Sequence, residues 1–160
     1  MGMWSAAQHL EALDVCEQLG AQPPAAAQMA TSLVDHEVPE DPAMQRAFAR
    51  GPIGLVASFV LAGGALTGKY LRGEPGRIDE GESPANRAGK ELAAEVVALA
   101  REWDISPAHV AFAYALSHPY LASVVFGART PEQLTENVAA YATFESLDAE
   151  QVAAVRELAR

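Results

Sequence analysis

The chain has 160 residues, half of them hydrophobic, which is enough apolar material for one ordinary domain with its own core. Its formal net charge of −10 argues against binding to nucleic acid or an anionic membrane, since both need clustered cations. The sequence has no apolar run near the ~20 residues of a membrane span and no signal-peptide pattern at its start. These features predict a cytoplasmic protein, in which the single cysteine, Cys16, is a small buried residue.

Helix signals dominate the first fifty residues. Ser5 and Gln8 form a capping box before a helix that Gly20 is placed to end. A short run of small residues follows at 25–29, and Pro39 and Pro42 then break or begin a second helix. The first helix is therefore the clearer prediction of the two.

Two apolar runs in the rest of the chain are predicted to be buried strands. These are "PIGLVASFVLA" (52–62) and "LASVVFG" (121–127), each bounded by glycine or proline. The spacing of Leu92, Val96, Leu99 and Trp103 predicts an amphipathic helix. Three further helices are predicted: from Ser106-Pro107 to about Ser117, from Thr130-Pro131, and after Asp148. Residues 71–84, rich in glycine, proline and charge, are predicted to form a mobile loop within a single domain spanning 1–160.

Alternation of strands and helices is typical of a parallel sheet or an α/β barrel. Even if the short run at 25–29 is counted with the two apolar runs, three strand candidates are too few to close an eight-stranded barrel. The four histidines are far apart in sequence and lack metal-ligand spacing, so each is predicted to be exposed or capping. No nucleophile motif is present.

The stretch "GGALTGKY" (63–70) has the G-x-x-x-x-G-K spacing of a phosphate-binding loop, but Tyr70 stands where Ser or Thr is required. The following residues also lack a helical pattern, so the sequence does not predict a nucleoside triphosphatase. Two interpretations remain open. The turn and Lys69 bind an anion at the end of a parallel strand, or the turn is plain and the lysine solvated.

A second anion-binding candidate is "FGARTPEQLTEN" (126–137), where Arg129 precedes a helix that Thr130 to Gln133 are predicted to begin with a capping box. Helical spacing brings Gln133, Glu136 and Asn137 near one face. An ordinary capped surface helix explains the same pattern.

Five blocks of the sequence, taken in order, resemble the C-terminal half of the aldo-keto reductases. They are "WSAAQHLEALDVCEQLG", the set Gln28, Leu33-Val34-Asp35 and Glu37-Val38, "LAGGALTGKY", "ISPAHVAFAYALSHP" and "SVVFGARTPEQLTENVAA". The resemblance implies an α/β fold that is a partial (β/α)8 TIM barrel, about the last three β/α units plus a C-terminal helix. It also implies a truncated NADP(H)-dependent oxidoreductase.

The resemblance further implies where the nicotinamide dinucleotide binds. Gln28 would hold the nicotinamide amide, and the backbone around Leu61 to Gly64, which includes Gly63, and the Lys69 side chain would lie beside the pyrophosphate. The adenosine end would be surrounded by Arg129, Gln133, Glu136 and Asn137. Three departures affect the nicotinamide end. Gly2-Met3 replace a Ser-Asn pair, Ser58 replaces a stacking aromatic residue, and "QMATS" (28–32) replaces the family's Q-P-Q-Y-N.

The family's catalytic Asp, Tyr, Lys and His belong to its N-terminal half, and none of them can be assigned here. The resemblance therefore implies carbonyl reduction only if a partner supplies that half. The alternatives are a non-catalytic nucleotide-binding or protein-interaction module and a decayed gene product. An open half barrel is expected to form a homodimer, bind a complementary half-barrel or aggregate.

Overall fold

A computed structural model of the protein describes residues 4–76 and 83–159. It is an α/β fold in which three parallel strands alternate with helices, as predicted. The elements in chain order are α1 (Ala6–Leu19), β1 (Ala26–Ala30), α2 (Glu37–Glu40), α3 (Pro42–Arg50), β2 (Gly54–Ser58), two 3₁₀ segments (Ala62–Thr67 and Lys69–Arg72), α4 (Pro84–Glu102), α5 (Pro107–Leu116), β3 (Leu121–Val124), α6 (Pro131–Ser146) and α7 (Ala149–Glu157).

The strands form one parallel sheet in the order β1-β2-β3. Gln28 of β1, Val56 of β2 and Ser123 of β3 lie in register across it, and a bulge interrupts the ladder between β2 and β3. Because the strands are parallel, the segments that follow β2 and β3 leave the sheet at the same edge.

Helices cover one face of this sheet. Leu55 of β2 is buried among α1 and α3 residues such as Leu13 and Phe48. Ala57, two positions on, packs with Phe112 of α5 and Ala140 of α6. A third cluster joins α4 and α5 to the first 3₁₀ segment beside the sheet.

The prediction of two fully buried strands is wrong in its details. Ala122 and Ser123 of β3 are exposed, and β3 ends at Val124 rather than at residue 127. In β2, Leu55 is inaccessible to solvent while Val56 is only half-buried. The physical reason is that helices pack on one face only, and β3 is an edge strand within the described residues.

The predicted helix caps are largely confirmed. Ser5 and Gln8 form a reciprocal capping box, and Gly20 ends α1 in the left-handed conformation at φ 60°. Asp148 likewise begins α7. At α6, Thr130 accepts from the Gln133 N–H, but the Gln133 side chain accepts from the N–H of Arg129 instead of completing a box with Thr130.

Two histidines contradict the prediction that all four are exposed or capping. His9 is fully buried, with Nδ1 donating to the Ser5 carbonyl at 2.9 Å. His118 is 6% exposed and packs against the rings of Phe48 and Tyr120. The His118 ring is buried by residues of other elements, such as Phe48 of α3, which spacing in the sequence does not reveal. Cys16, predicted to be buried, is half-buried.

Residues 71 and 72 of the predicted loop belong to the second 3₁₀ segment, while residues 77–82 lie outside the described part of the chain. Among the helices in residues 4–76 and 83–159, none is long and apolar enough to cross a membrane.

Candidate functional site

The glycine loop after β2 is built on left-handed backbone. Gly63 and Gly64 have φ values of 66° and 89° inside the first 3₁₀ segment, a conformation that L-residues with side chains seldom adopt. A Cβ added at Gly64 would also lie 3.1 Å from Cε of Lys69. The two glycines therefore allow the lysine side chain to lie directly against the loop backbone.

Tyr70 closes this loop. Its hydroxyl donates to the carbonyl of Gly63 at 3.3 Å. Lys69 begins a 3₁₀ segment of four residues, not the α-helix that a triphosphate-binding loop requires at this point. Tyr70, which departs from the phosphate-loop pattern, thus stabilises the turn.

Both lysines of the chain flank the ring of Tyr70. Nζ of Lys69 lies 4.8 Å from the ring centroid, and Nζ of Lys90, from α4, lies 5.1 Å from it. Glu74 lies nearby, where its hydrogen bond from Arg72 and the charges of Arg72 and Lys69 lower the pKa of its carboxyl, so the loop is bordered by both cations and a carboxylate. Sequence reasoning missed Lys90, for which the scarcity of lysine was the only signal.

The second predicted anion site is the N-terminus of α6, which follows β3 at the same edge of the sheet. Arg129 is exposed, and its N–H donates to Gln133 Oε1 at 2.8 Å. Glu132 lies in the first turn, where a hydrogen bond from the Thr130 hydroxyl lowers the pKa of its carboxyl. The start of α6 therefore carries one cation, Arg129, and one carboxylate, Glu132. The carboxylate repels an incoming anion.

Glu136 and Asn137 point away from each other. Glu136 accepts a short hydrogen bond from Ser106, the N-cap residue of α5, while its carbonyl contacts His109 Nε2 at 2.9 Å. Asn137 is 7% exposed and lines a groove beside β3. Gln133 and Arg129 are thus brought together, whereas Glu136 is committed to the start of α5.

Gln28 lies on the sheet face that no described helix covers, with its side chain exposed. Ser58, at the end of β2, is 6% exposed and donates its hydroxyl to the Met29 carbonyl at 3.0 Å. The next residue, Phe59, is 65% exposed at φ 57°. The aromatic side chain at this end of β2 is therefore displaced by one position from the one that the family resemblance implies.

A separate polar cluster joins α2, α5 and α7. The Tyr114 hydroxyl donates to Glu40 Oε1 at 2.6 Å, and Arg156 donates to the same oxygen at 3.1 Å. Burial and then the bond to Glu40 raise the pKa of Tyr114. The neighbouring cavity, about 240 Å³, is bordered by Glu40, Arg156 and His118.

His118 borders this cavity and is buried. The N–H of Tyr120 donates to its Nδ1 at 3.3 Å, while its Nε2 lies 3.1 Å from the side-chain nitrogen of Gln45 and 3.4 Å from the Pro39 carbonyl. Burial, aided by the charge of Arg156, lowers the pKa of His118. The residues of this cluster are far apart in the sequence, so no local pattern predicts it.

No group of three or more His, Cys, Asp or Glu side chains within 4–76 and 83–159 has the arrangement of a metal site. The chemistry that the geometry offers is instead cationic, at the edge where β2 and β3 end.

The sequence matches the model of the aldo/keto reductase family over residues 4–160. It is 30% identical over 146 residues to a probable voltage-gated potassium channel subunit beta of Oryza sativa subsp. japonica, covering 86% of this chain and 44% of that protein. It is 28% identical over 108 residues to a putative voltage-gated potassium channel subunit beta of Schizosaccharomyces pombe, covering 61% of this chain and 31% of that protein.

The parallel α/β fold and the loops at the strand ends agree with that match, and the chain belongs to the aldo/keto reductase family. The predicted family resemblance is confirmed. The chain spans less than half the length of either curated relative.

Proposed function

We propose that this chain is the cofactor-binding C-terminal portion of an NADP(H)-dependent aldo/keto reductase, folded as part of a (β/α)8 barrel. Carbonyl reduction then requires the family's catalytic Asp, Tyr, Lys and His from outside these 160 residues. The observation that carries the proposal is the pair of lysines, Lys69 and Lys90, gathered beside the glycine loop at the end of β2.

The charge distribution supports binding of a dinucleotide phosphate. The chain carries only two lysines among 21 acidic and 11 basic side chains, and both lie at the ring of Tyr70 beside the glycine loop. Two ammonium groups around one ring make a site suited to the pyrophosphate, with the backbone of Leu61 and Gly63 beside it.

The adenosine end is assigned to the start of α6. Arg129 would bind the 2′-phosphate, Gln133 would hold the Arg129 backbone in place through its 2.8 Å hydrogen bond, and Glu136 and Asn137 would border the adenosine. Parallel pairing of β2 with β3 supports this assignment, because it places both loops at one edge.

The nicotinamide end is the weaker part of the site. Gln28 offers an exposed carboxamide on the uncovered sheet face, which suits the nicotinamide amide. NADPH would supply a hydride when bound. The proton donor for a carbonyl oxygen is among the residues that must come from outside this sequence.

Binding of NADPH, followed through the fluorescence of Trp4 and Trp103 or by calorimetry, tests the proposal. We expect saturation on the order of micromolar, near −8 kcal/mol. Lys69→Met and Lys90→Met should each weaken binding, whereas Arg46→Met, which removes one cation from exposed α3 surface, should not. A folded sample that does not bind at millimolar NADPH would refute the proposal.

A second candidate is a non-catalytic cofactor-binding subunit that assembles with another protein. Both curated relatives carry the name of a potassium channel subunit, which favours this function. The two candidates differ in turnover. A sample that binds NADPH and is supplied with the missing catalytic half should oxidise the cofactor in the presence of aldehydes under the first candidate only.

A further inference from the structure

We propose that α2 is a pH-sensitive element, which detaches from α5 and α7 when His118 takes up a proton. The contacts that hold α2 lie among helices of this chain near the start of β3. They are separate from the glycine loop and from the start of α6.

The ring of His118 joins the start of β3 to α2 and α3. Its Nε2 lies 3.4 Å from the carbonyl of Pro39 in α2 and 3.1 Å from the side-chain nitrogen of Gln45 in α3. Gln45 donates through the same nitrogen to the Pro39 carbonyl at 2.5 Å. Contacts around one ring therefore hold the corner between α2 and α3 in place.

The surroundings of this ring suit its neutral form. The N–H of Tyr120 donates to Nδ1 at 3.3 Å, so Nδ1 acts as an acceptor. A protonated ring carries hydrogens on both nitrogens and would set one of them against this N–H. The rings of Phe48 and Tyr120 lie against His118, with centroids 6.0 and 6.1 Å away, which hinders rotation of the buried imidazole. Proton uptake therefore requires these contacts to open.

The charges near His118 do not compensate for its burial. Burial lowers the pKa of His118 most and Arg156 of α7 lowers it further, while the Pro39 carbonyl and Glu40 of α2 raise it. Glu40 is itself neutralised, because Arg156 donates to its carboxylate at 3.1 Å. Tyr114 of α5 donates to the same oxygen and stays protonated, since burial raises its pKa. The closed form therefore binds the proton less tightly than a form with a hydrated ring.

α2 is the element that yields, because it has little stability of its own. It spans four residues, and His36 at its start makes no side-chain capping hydrogen bond. Isolated helices shorter than about 12 residues are marginal in water. Val38 is 48% exposed, so the buried part of α2 is mainly Pro39. The position of α2 thus depends on its contacts with His118, Tyr114 and Arg156.

Opening of α2 should follow the uptake of one proton. In the open form the ring is hydrated and has a pKa of about 6.5. The closed form is therefore favoured at neutral pH and loses ground as pH falls below that value. One proton limits the rise in the equilibrium constant for opening to about tenfold between pH 7.5 and pH 5.5.

Amide hydrogen exchange followed by NMR at pH 7.5 and pH 5.5 tests the proposal. Protection factors remove the intrinsic pH dependence of exchange. The amides of Glu40 and Asp41 donate to carbonyls of His36 and Val38 and report on α2. We expect them to be less protected than the amides of β2 at both pH values, and their protection to fall by up to about tenfold at pH 5.5.

Two histidine variants identify the group that titrates. In His118→Gln the fall in protection should vanish, because the glutamine does not titrate. His36→Gln is the matched control, since the His36 ring also lies at α2, edge-on to Tyr114 with centroids 6.0 Å apart. The fall should persist in this control. A fall that persists in His118→Gln, or vanishes in His36→Gln, would overturn the proposal.

The wild type alone provides a second test that needs no substitution at position 118. The ring resonances of His118 should titrate together with the loss of protection at Glu40 and Asp41. Titration of the ring with α2 still protected would refute the coupling. Equal protection of α2 and β2 at both pH values would show that α2 opens only with the whole fold, which would also overturn the proposal.

Discussion

Tyr114 and Glu40, 74 residues apart in the chain, are joined by a hydrogen bond of 2.6 Å from the tyrosine hydroxyl to the carboxylate. Glu40 ends the short helix α2, while Tyr114 lies in α5 and is 2% exposed. Arg156 of α7 donates to the same carboxylate oxygen and, through its other nitrogen, to Ser117 Oγ at 3.0 Å. One acidic side chain therefore joins α2, α5 and α7.

Tyr114→Phe is expected to destabilise the fold while leaving its shape unchanged. The change removes a hydrogen bond to a charged acceptor but keeps the ring, so the free energy of unfolding should fall by about 1–2 kcal/mol. The lower part of the usual range applies because the Glu40 side chain stays 33% exposed. Urea unfolding measures the effect, with Tyr141→Phe at a 60% exposed position as control. Equal losses in the two variants would contradict the role of Glu40.

Protonation of His118 should destabilise the protein in mild acid. Burial lowers the pKa of His118 in the folded state, whereas a histidine in the unfolded chain has a pKa of about 6.5. As pH falls below that value, the unfolded state takes up the proton first, so stability present at neutral pH is lost.

The check is the urea midpoint of the wild type and of His118→Gln at pH 7.5 and pH 5.5. The variant should lose less stability between the two values than the wild type does. Parallel decline of both proteins would show that other groups cause the acid sensitivity.

Gly89 allows α4 to approach the glycine loop closely. A Cβ at this position would lie 2.8 Å from Cβ of Ala65 and 3.2 Å from Cβ of Ala62. Gly89→Leu should therefore lower the free energy of unfolding by about 1–3 kcal/mol through overpacking, despite the better helix propensity of leucine. Ala98→Leu, at an exposed position of the same helix, should change it little. A Gly89→Leu protein with the same free energy of unfolding as the wild type would contradict this prediction and show that the glycine loop moves to accommodate the side chain.

Arg129→Glu is expected to abolish any preference for NADPH over NADH. The exposed guanidinium is the cation at the start of α6, and its replacement by a carboxylate would repel a 2′-phosphate. Parallel titrations with the two cofactors measure the preference.

Glu132→Gln is the complementary variant. Since Glu132 is a fixed carboxylate in the first turn of α6, its neutralisation should strengthen NADPH binding relative to NADH. An unchanged ratio in both variants would refute the assignment of the 2′-phosphate to this helix.

Local sequence signals sufficed for the helix ends and for the existence of the strands. The Ser5 and Asp148 caps depend on contacts three residues away, so the residue types alone specify them. The order of strands and helices likewise predicted parallel pairing. At Thr130 only half of the capping box forms, because the Gln133 side chain accepts from the N–H of Arg129 instead of that of Thr130.

The rest of the site could not be read from the chain, since it depends on residues distant in sequence. Lys69 and Lys90 meet at Tyr70 only because α4 packs on the glycine loop, with Gly89 at the contact. The burial of His118 and the exposure of β3 depend on which neighbours lie around them, and residues 4–76 and 83–159 supply helices to one sheet face only. Spacing along a chain specifies turns, caps and periods, whereas burial and convergent charge arise from packing between elements.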